Sequence, residues 1–107
     1  MFTRVVHIQT KTGKARELST TLNDKVMPIL KKQPGFVDEI TLVSTTDPDR
    51  VLALSFWESE ANAQRYNDEQ FPRINDIVLP LLETAPEVET FNVDFSTTHK
   101  ITRGKAA

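Results

Sequence analysis

VLALSFWESEANAQRY, residues 51–66, carries a strand directly into a helix, and its reading decides the fold. Val51 to Trp57 is short and almost wholly apolar, the mark of a central strand. Ser59 offers a hydroxyl to the free N–H groups of a first helical turn, so a helix begins there and runs to about Asp68. Working backward, Phe36 to Thr45 alternates like a strand, and the turn formers Thr46-Asp47-Pro48-Asp49 join it to Val51 as a hairpin. Working forward, Pro72 suits the first turn of a further helix, and Ile74, Ile77, Val78, Leu81 and Leu82 form its apolar stripe. Pro80 interrupts this helix, Pro86 marks its end, and Glu87 to Thr97 reads as the last strand.

The N-terminal part completes the order. Phe2, Arg4, Val6 and Ile8 alternate with Thr3, Val5, His7 and Gln9, the period of a strand. Beyond the Thr12-Gly13 turn the spacing changes to that of a helix through Leu18, Leu22, Val26, Ile29 and Leu30. Pro28 predicts a kink in that helix, and Gln33-Pro34-Gly35 ends it. The result is βαββαβ, an α+β ferredoxin-like plan with both helical segments on one face of a four-stranded antiparallel sheet. One domain over residues 1–97 is expected, with a loose polar tail over residues 98–107.

The face assignment carries the functional expectation. Val6, Ile8, Ile40, Leu42, Leu52, Leu54, Phe56, Phe91, Val93 and Phe95 are expected under the helices. Val5, His7, Glu39, Thr41, Val43, Ala53, Ser55, Trp57 and Asn92 are expected on the opposite face. That second set mixes apolar and polar groups, so a covered surface with a pocket in it is expected there, most economically covered by a second copy of the sheet.

Composition narrows the classes. Among 107 residues, 13 are basic and 15 acidic, a net charge of -2 with no basic stripe, which argues against a nucleic-acid partner. Cysteine is absent, which removes thiolate chemistry and suits a reducing compartment. MFTRVVHIQT lacks the apolar core of a signal peptide and no run is long enough to span a membrane, so a cytoplasmic location is the expectation. Two separated histidines offer no metal-ligand spacing, so no metal is expected, and three glycines offer no phosphate loop, which disfavours a nucleotide.

Gln33-Pro34-Gly35-Phe36, LALSFWESEANAQRY over residues 52–66 and Phe71 resemble the antibiotic biosynthesis monooxygenase (ABM) domain. The resemblance covers roughly residues 2–96. It implies a dimeric α/β barrel, and for some members oxidation of polyaromatic phenols or quinols by O2 without metal or flavin, so the resemblance implies that no cofactor is needed. Haem-degrading members use an Asn on strand one, a Trp in helix two and a His in the following helix. Val6 or His7, Tyr66 and Asp76 stand near those positions here, so haem ligation is disfavoured.

A cofactor-free oxygenase needs an apolar cavity, a base or hydrogen-bond donor, and exclusion of water. His7 is the best candidate base, with an interface or edge histidine as the plain alternative. Tyr66 is a candidate donor to a substrate oxygen or a surface tyrosine. Trp57 is a candidate stacking partner or a structural anchor. Thr41, Ser55 and Asn92 are candidates to orient a substrate or to satisfy one another across strands. The functional expectation is a homodimeric, cofactor-independent monooxygenase acting on a small aromatic or quinol-like compound. The alternative is a non-enzymatic barrel that binds a hydrophobic small molecule.

Overall fold

The computed structural model describes residues 1–101. Its elements run β1 (Phe2–Gln9), α1 (Ala15–Thr21), a π-helical turn (Leu22–Val26), α2 (Met27–Leu30), β2 (Phe36–Val43), β3 (Arg50–Trp57), α3 (Glu60–Glu69), α4 (Phe71–Val78), a 3-10 turn (Leu79–Leu81) and β4 (Glu87–Asn92). The strands form one sheet in the order β2-β3-β1-β4, every neighbouring pair antiparallel. This is the ferredoxin-like arrangement, with β3 and β1 central.

Proline and glycine shape the helical layer. Pro28 has no N–H to give the carbonyl four residues earlier, and the chain accommodates it by widening the preceding turn, where Met27 N–H reaches back to Leu22 O. The kink expected at Pro28 is this wide turn. Ser59 caps α3, its Oγ accepting from Asn62 N–H at 3.2 Å. Pro72 opens α4 and Pro80 tightens its end. Gly35 has φ +76, and a Cβ there would overlap the Asn62 side chain, so the chain can turn this close to α3 only without one.

Cross-strand register settles which side chains share a face. Val6 stands opposite Ala53, Ile8 opposite Val51, and Arg4 opposite Ser55. Glu39 stands opposite Ser55 and Thr41 opposite Ala53, following an irregularity at Val37. On the other edge Arg4 faces Thr90, and Phe2 faces Asn92. The core under the helices therefore joins Val6, Ile8, Val51, Ala53 and Trp57 to Leu18, Val26, Leu30, Tyr66, Ile74 and Val78.

This corrects the assignment drawn from the sequence for β2, β3 and β4, though not for β1. Ile40, Leu42, Leu52, Leu54, Phe56 and Phe91 lie on the helix-free face with Val5 and His7. Ala53, Ser55 and Trp57, with Glu39, Thr41 and Asn92, lie on the helix side. The reason is pairing: β3 is apolar in both of its alternating phases, and its register against β1 commits Val51, Ala53, Ser55 and Trp57 to the helix side. β4 is also shorter than expected, ending at Asn92 opposite Phe2, the first residue of β1, with one last backbone bond from Val93 N–H to Met1 O at 2.8 Å. Residues 95–99 turn back beside the helix-free face and, with Met1, Asp38, Ile40 and Phe56, line a cavity of about 390 Å3. The rest of the expected tail, residues 102–107, lies outside the described residues.

Candidate functional site

A cavity of about 50 Å3 lies between the sheet and the helices. Most of its wall is apolar: Val6 and Ala53 from the sheet, Leu22 and Val26 from the π-helical turn, and Ile74 and Val78 from α4. The wide turn presents both of its apolar side chains to this space, a use to which such turns are often put near functional sites. Four polar residues from the sheet and α3 interrupt the wall: Arg4, Glu39, Ser55 and Tyr66. Three of these, Glu39, Ser55 and Arg4, form one row across β2, β3 and β1.

Arg4 is 3% exposed. Its Nη2 donates to Asn67 Oδ1 at 2.9 Å, and its guanidinium lies over the rings of Phe71 at 4.5 Å and Tyr66 at 5.1 Å. Burial lowers its pKa, against the opposing pull of Tyr66 and Glu39, yet it remains a cation at any working pH. Glu39 behaves differently. Burial, reinforced by the neighbouring Asp38 charge and only partly opposed by Arg4, pushes its carboxyl up to about 8. At neutral pH it is therefore mostly protonated, a carboxylic acid able to donate as well as accept. Burial likewise raises Tyr66 to about 12, with Arg4 opposing, so its hydroxyl keeps its proton. Asn75 adds a buried Oδ1 without a hydrogen-bond donor among the described residues. A dry wall, a fixed cation and a carboxyl titrating near neutrality form an arrangement able to orient an acidic substrate oxygen and exchange a proton with it.

The sequence of residues 1–70 matches the family model described as antibiotic biosynthesis monooxygenase. The chain belongs to this family. No curated protein matches this ABM chain. Among solved structures, a monooxygenase from the gene ActVA-Orf6 of Streptomyces coelicolor, in complex with nanaomycin D, superposes with TM-score 0.77 at 19% identity, covering 92% of each chain. SnoaB, a cofactor-independent oxygenase from Streptomyces nogalater, gives TM-score 0.74 at 17% identity, covering 92% of this chain and 97% of its own. A conserved protein from Methanosarcina mazei gives 0.68 at 22% identity, covering 85% and 91%. Identities this low establish a shared fold.

The ABM chain brings only some of the expected residues together. Tyr66 and Ser55 line the cavity. Trp57 is on the same side but fully buried as an anchor: its Nε1 donates to Ser55 Oγ at 2.9 Å, and it packs on Tyr66 at 4.9 Å and edge-on to Phe36 at 5.6 Å. Thr41 and Asn92 are exposed near the sheet edges, away from the cavity wall. His7 is on the helix-free face, its Nε2 2.9 Å from Glu89 Oε1, so His7 and Tyr66 do not share a chamber. Arg4, Glu39 and Asn75 were not among the expected site residues. Arg4 left a signal, a charge in the core-facing phase of Phe2, Arg4, Val6 and Ile8. Glu39 and Asn75 left none, since each is an ordinary polar residue until its neighbours are known. Among the described residues there is no metal-holding cluster of His, Cys, Asp or Glu, and no helix is long and apolar enough to cross a membrane.

Proposed function

We propose that this ABM protein is a cofactor-independent monooxygenase of a small aromatic or quinol-like compound, working in the cytoplasm as a homodimer. The observation that carries the reading is the water-poor cavity under the helices, where Glu39, with a carboxyl titrating near neutrality, shares a wall with Arg4 and Tyr66. Electron-rich phenols and quinols react with O2 once deprotonated, because the anion can pass an electron to oxygen. Overall the substrate supplies four electrons, one oxygen atom enters its carbon skeleton and the other leaves as water. The protein's share is to bind the ring, shed water and move protons. Glu39 takes the substrate proton in its ionised form and returns it to the departing oxygen. Tyr66 donates to a substrate oxygen, Ser55 holds Trp57 in place, and Trp57 fixes the Tyr66 ring. Thr41 and Asn92 take no part in the cavity, and His7 belongs to the subunit contact.

Dimerisation through the helix-free face is supported by its composition. Ile40, Leu42 and Phe91 are 42%, 45% and 47% exposed there, with Phe95 at 75% just beyond β4. Exposed apolar side chains of this kind, bordered by His7 and Glu89, call for a cover, and a second copy supplies one of matching chemistry.

Oxygen uptake with a panel of electron-rich phenols and anthrone-like compounds tests the proposal. Uptake that falls roughly a hundredfold in Glu39→Gln is the expected result. Binding of the same compounds with no uptake would replace it with the non-enzymatic reading, in which the cavity sequesters a hydrophobic molecule.

A further inference from the structure

We infer that this pocket selects aromatic compounds bearing a single ionised oxygen, and that Arg4 is the residue that pairs with that oxygen. The inference rests on reading the cavity as the substrate site and names the chemical class that the site takes.

Arg4 is a buried cation with no anion of its own. Its partners are neutral: the amide oxygen Asn67 Oδ1, the Tyr66 hydroxyl, which also accepts from it, and the faces of two aromatic rings. No ion pair among the described residues includes it. Glu39, the carboxyl in the same cross-strand row, is held mostly protonated at neutral pH and so does not cancel the charge. A desolvated guanidinium left in this state gains most from an anion delivered by a ligand, and its planar fork suits a carboxylate or phenolate oxygen. The rings of Tyr66 and Phe71 beside it offer aromatic surface, and Asn75 Oδ1 on the same cavity wall is an acceptor for a neutral hydroxyl elsewhere on the ligand.

Size points to the same residue. About 50 Å3 is smaller than the roughly 150 Å3 void that takes up benzene in an engineered core. Arg4 also lines a second cavity of about 280 Å3, bounded by Phe2, Asn67, Val88 and Thr90. Its side chain touches both spaces, so an anion on the guanidinium can place its ring on either side of Arg4.

The test is an anaerobic titration with 4-nitrophenol, whose ionised form alone is strongly coloured, and with 4-nitroanisole, its neutral counterpart. The bound phenol is expected to ionise about one pH unit or more below the free compound, and 4-nitroanisole to bind at least tenfold more weakly at neutral pH. Arg4→Met removes the charge, and Asn67→Asp keeps Arg4 but gives it a permanent carboxylate partner. Each variant should abolish the ionisation shift, the second without removing the guanidinium from the core. Equal binding of the two compounds, an unshifted titration, a shift that survives Asn67→Asp, or no binding of either compound would overturn the inference. Oxygen is absent, so these outcomes are separate from turnover: a shifted probe with no oxygen uptake leaves the anion site standing, and uptake without a shift leaves only the oxygenase.

Discussion

Replacing Glu39 by Gln should change how stability depends on pH, and the size of the change follows from its surroundings. In the folded chain the carboxyl titrates near 8, against an ordinary value of 4.5, because burial and the Asp38 charge disfavour the anion. The folded state therefore holds its proton more tightly than the unfolded state. Between those two values the unfolded chain ionises while the folded chain does not, so the folded state binds more protons and stability falls as pH rises. A shift of this size corresponds to a ceiling of roughly 5 kcal/mol, of which about 2–3 kcal/mol is lost between pH 5 and pH 7 and most of the rest by pH 9. Glutamine resembles the protonated acid in shape and cannot ionise. Urea denaturation of both proteins from pH 5 to pH 9 isolates Glu39 and its coupled neighbours, since every titration independent of it cancels in the difference. Glu39→Gln should gain on the parent protein as pH rises and level off above pH 8. A difference that stays flat across this range would show that Glu39 titrates like a surface carboxylate, and the candidate site would lose its proton-exchanging group.

The remaining expectations concern the dimer, the turn and the histidine. Leu54→Asp places an unpaired charge at the centre of the helix-free face, and sedimentation should show the proposed dimer converted to monomer; Ala53→Asp, one residue away, should instead unfold the chain because Ala53 is in the core. Gly35→Ala forces a side chain into positive φ and onto Asn62, and should cost about 1 kcal/mol or more in thermal or urea denaturation. His7→Ala should leave oxygen uptake within a few-fold of the parent, since His7 faces away from the cavity and pairs with Glu89. A hundredfold loss would return the catalytic base to His7.

The elements were legible in the sequence because each rests on local chemistry. The Ser59 cap, the glycine at 35, and the prolines at 28, 72 and 80 act within a turn or two of themselves, and the structure places their consequences where the spacing predicts. The place of Tyr66 in α3 was legible for a related reason, since it follows from the strand-to-helix junction, and the structure puts it on the cavity wall. Glu39 was not. Its unusual proton affinity comes from burial beside Asp38 and opposite Ser55, and no local pattern encodes that environment.

Order and type of the elements, and with them the ferredoxin-like fold, are written in the periodicity and punctuation of the chain alone. The facing of the central strands is not. VLALSFW is apolar in both of its alternating phases, so hydrophobicity cannot say which phase meets the helices. Pairing decides it: once Ala53 stands opposite Val6 and Ser55 opposite Arg4, the whole strand is committed, because a strand turned by one residue exchanges every side chain between faces. That choice moves the pocket from between two sheets to beneath the helices and separates His7 from Tyr66. It also assembles Arg4, Glu39 and Ser55 from three different strands into one cavity wall.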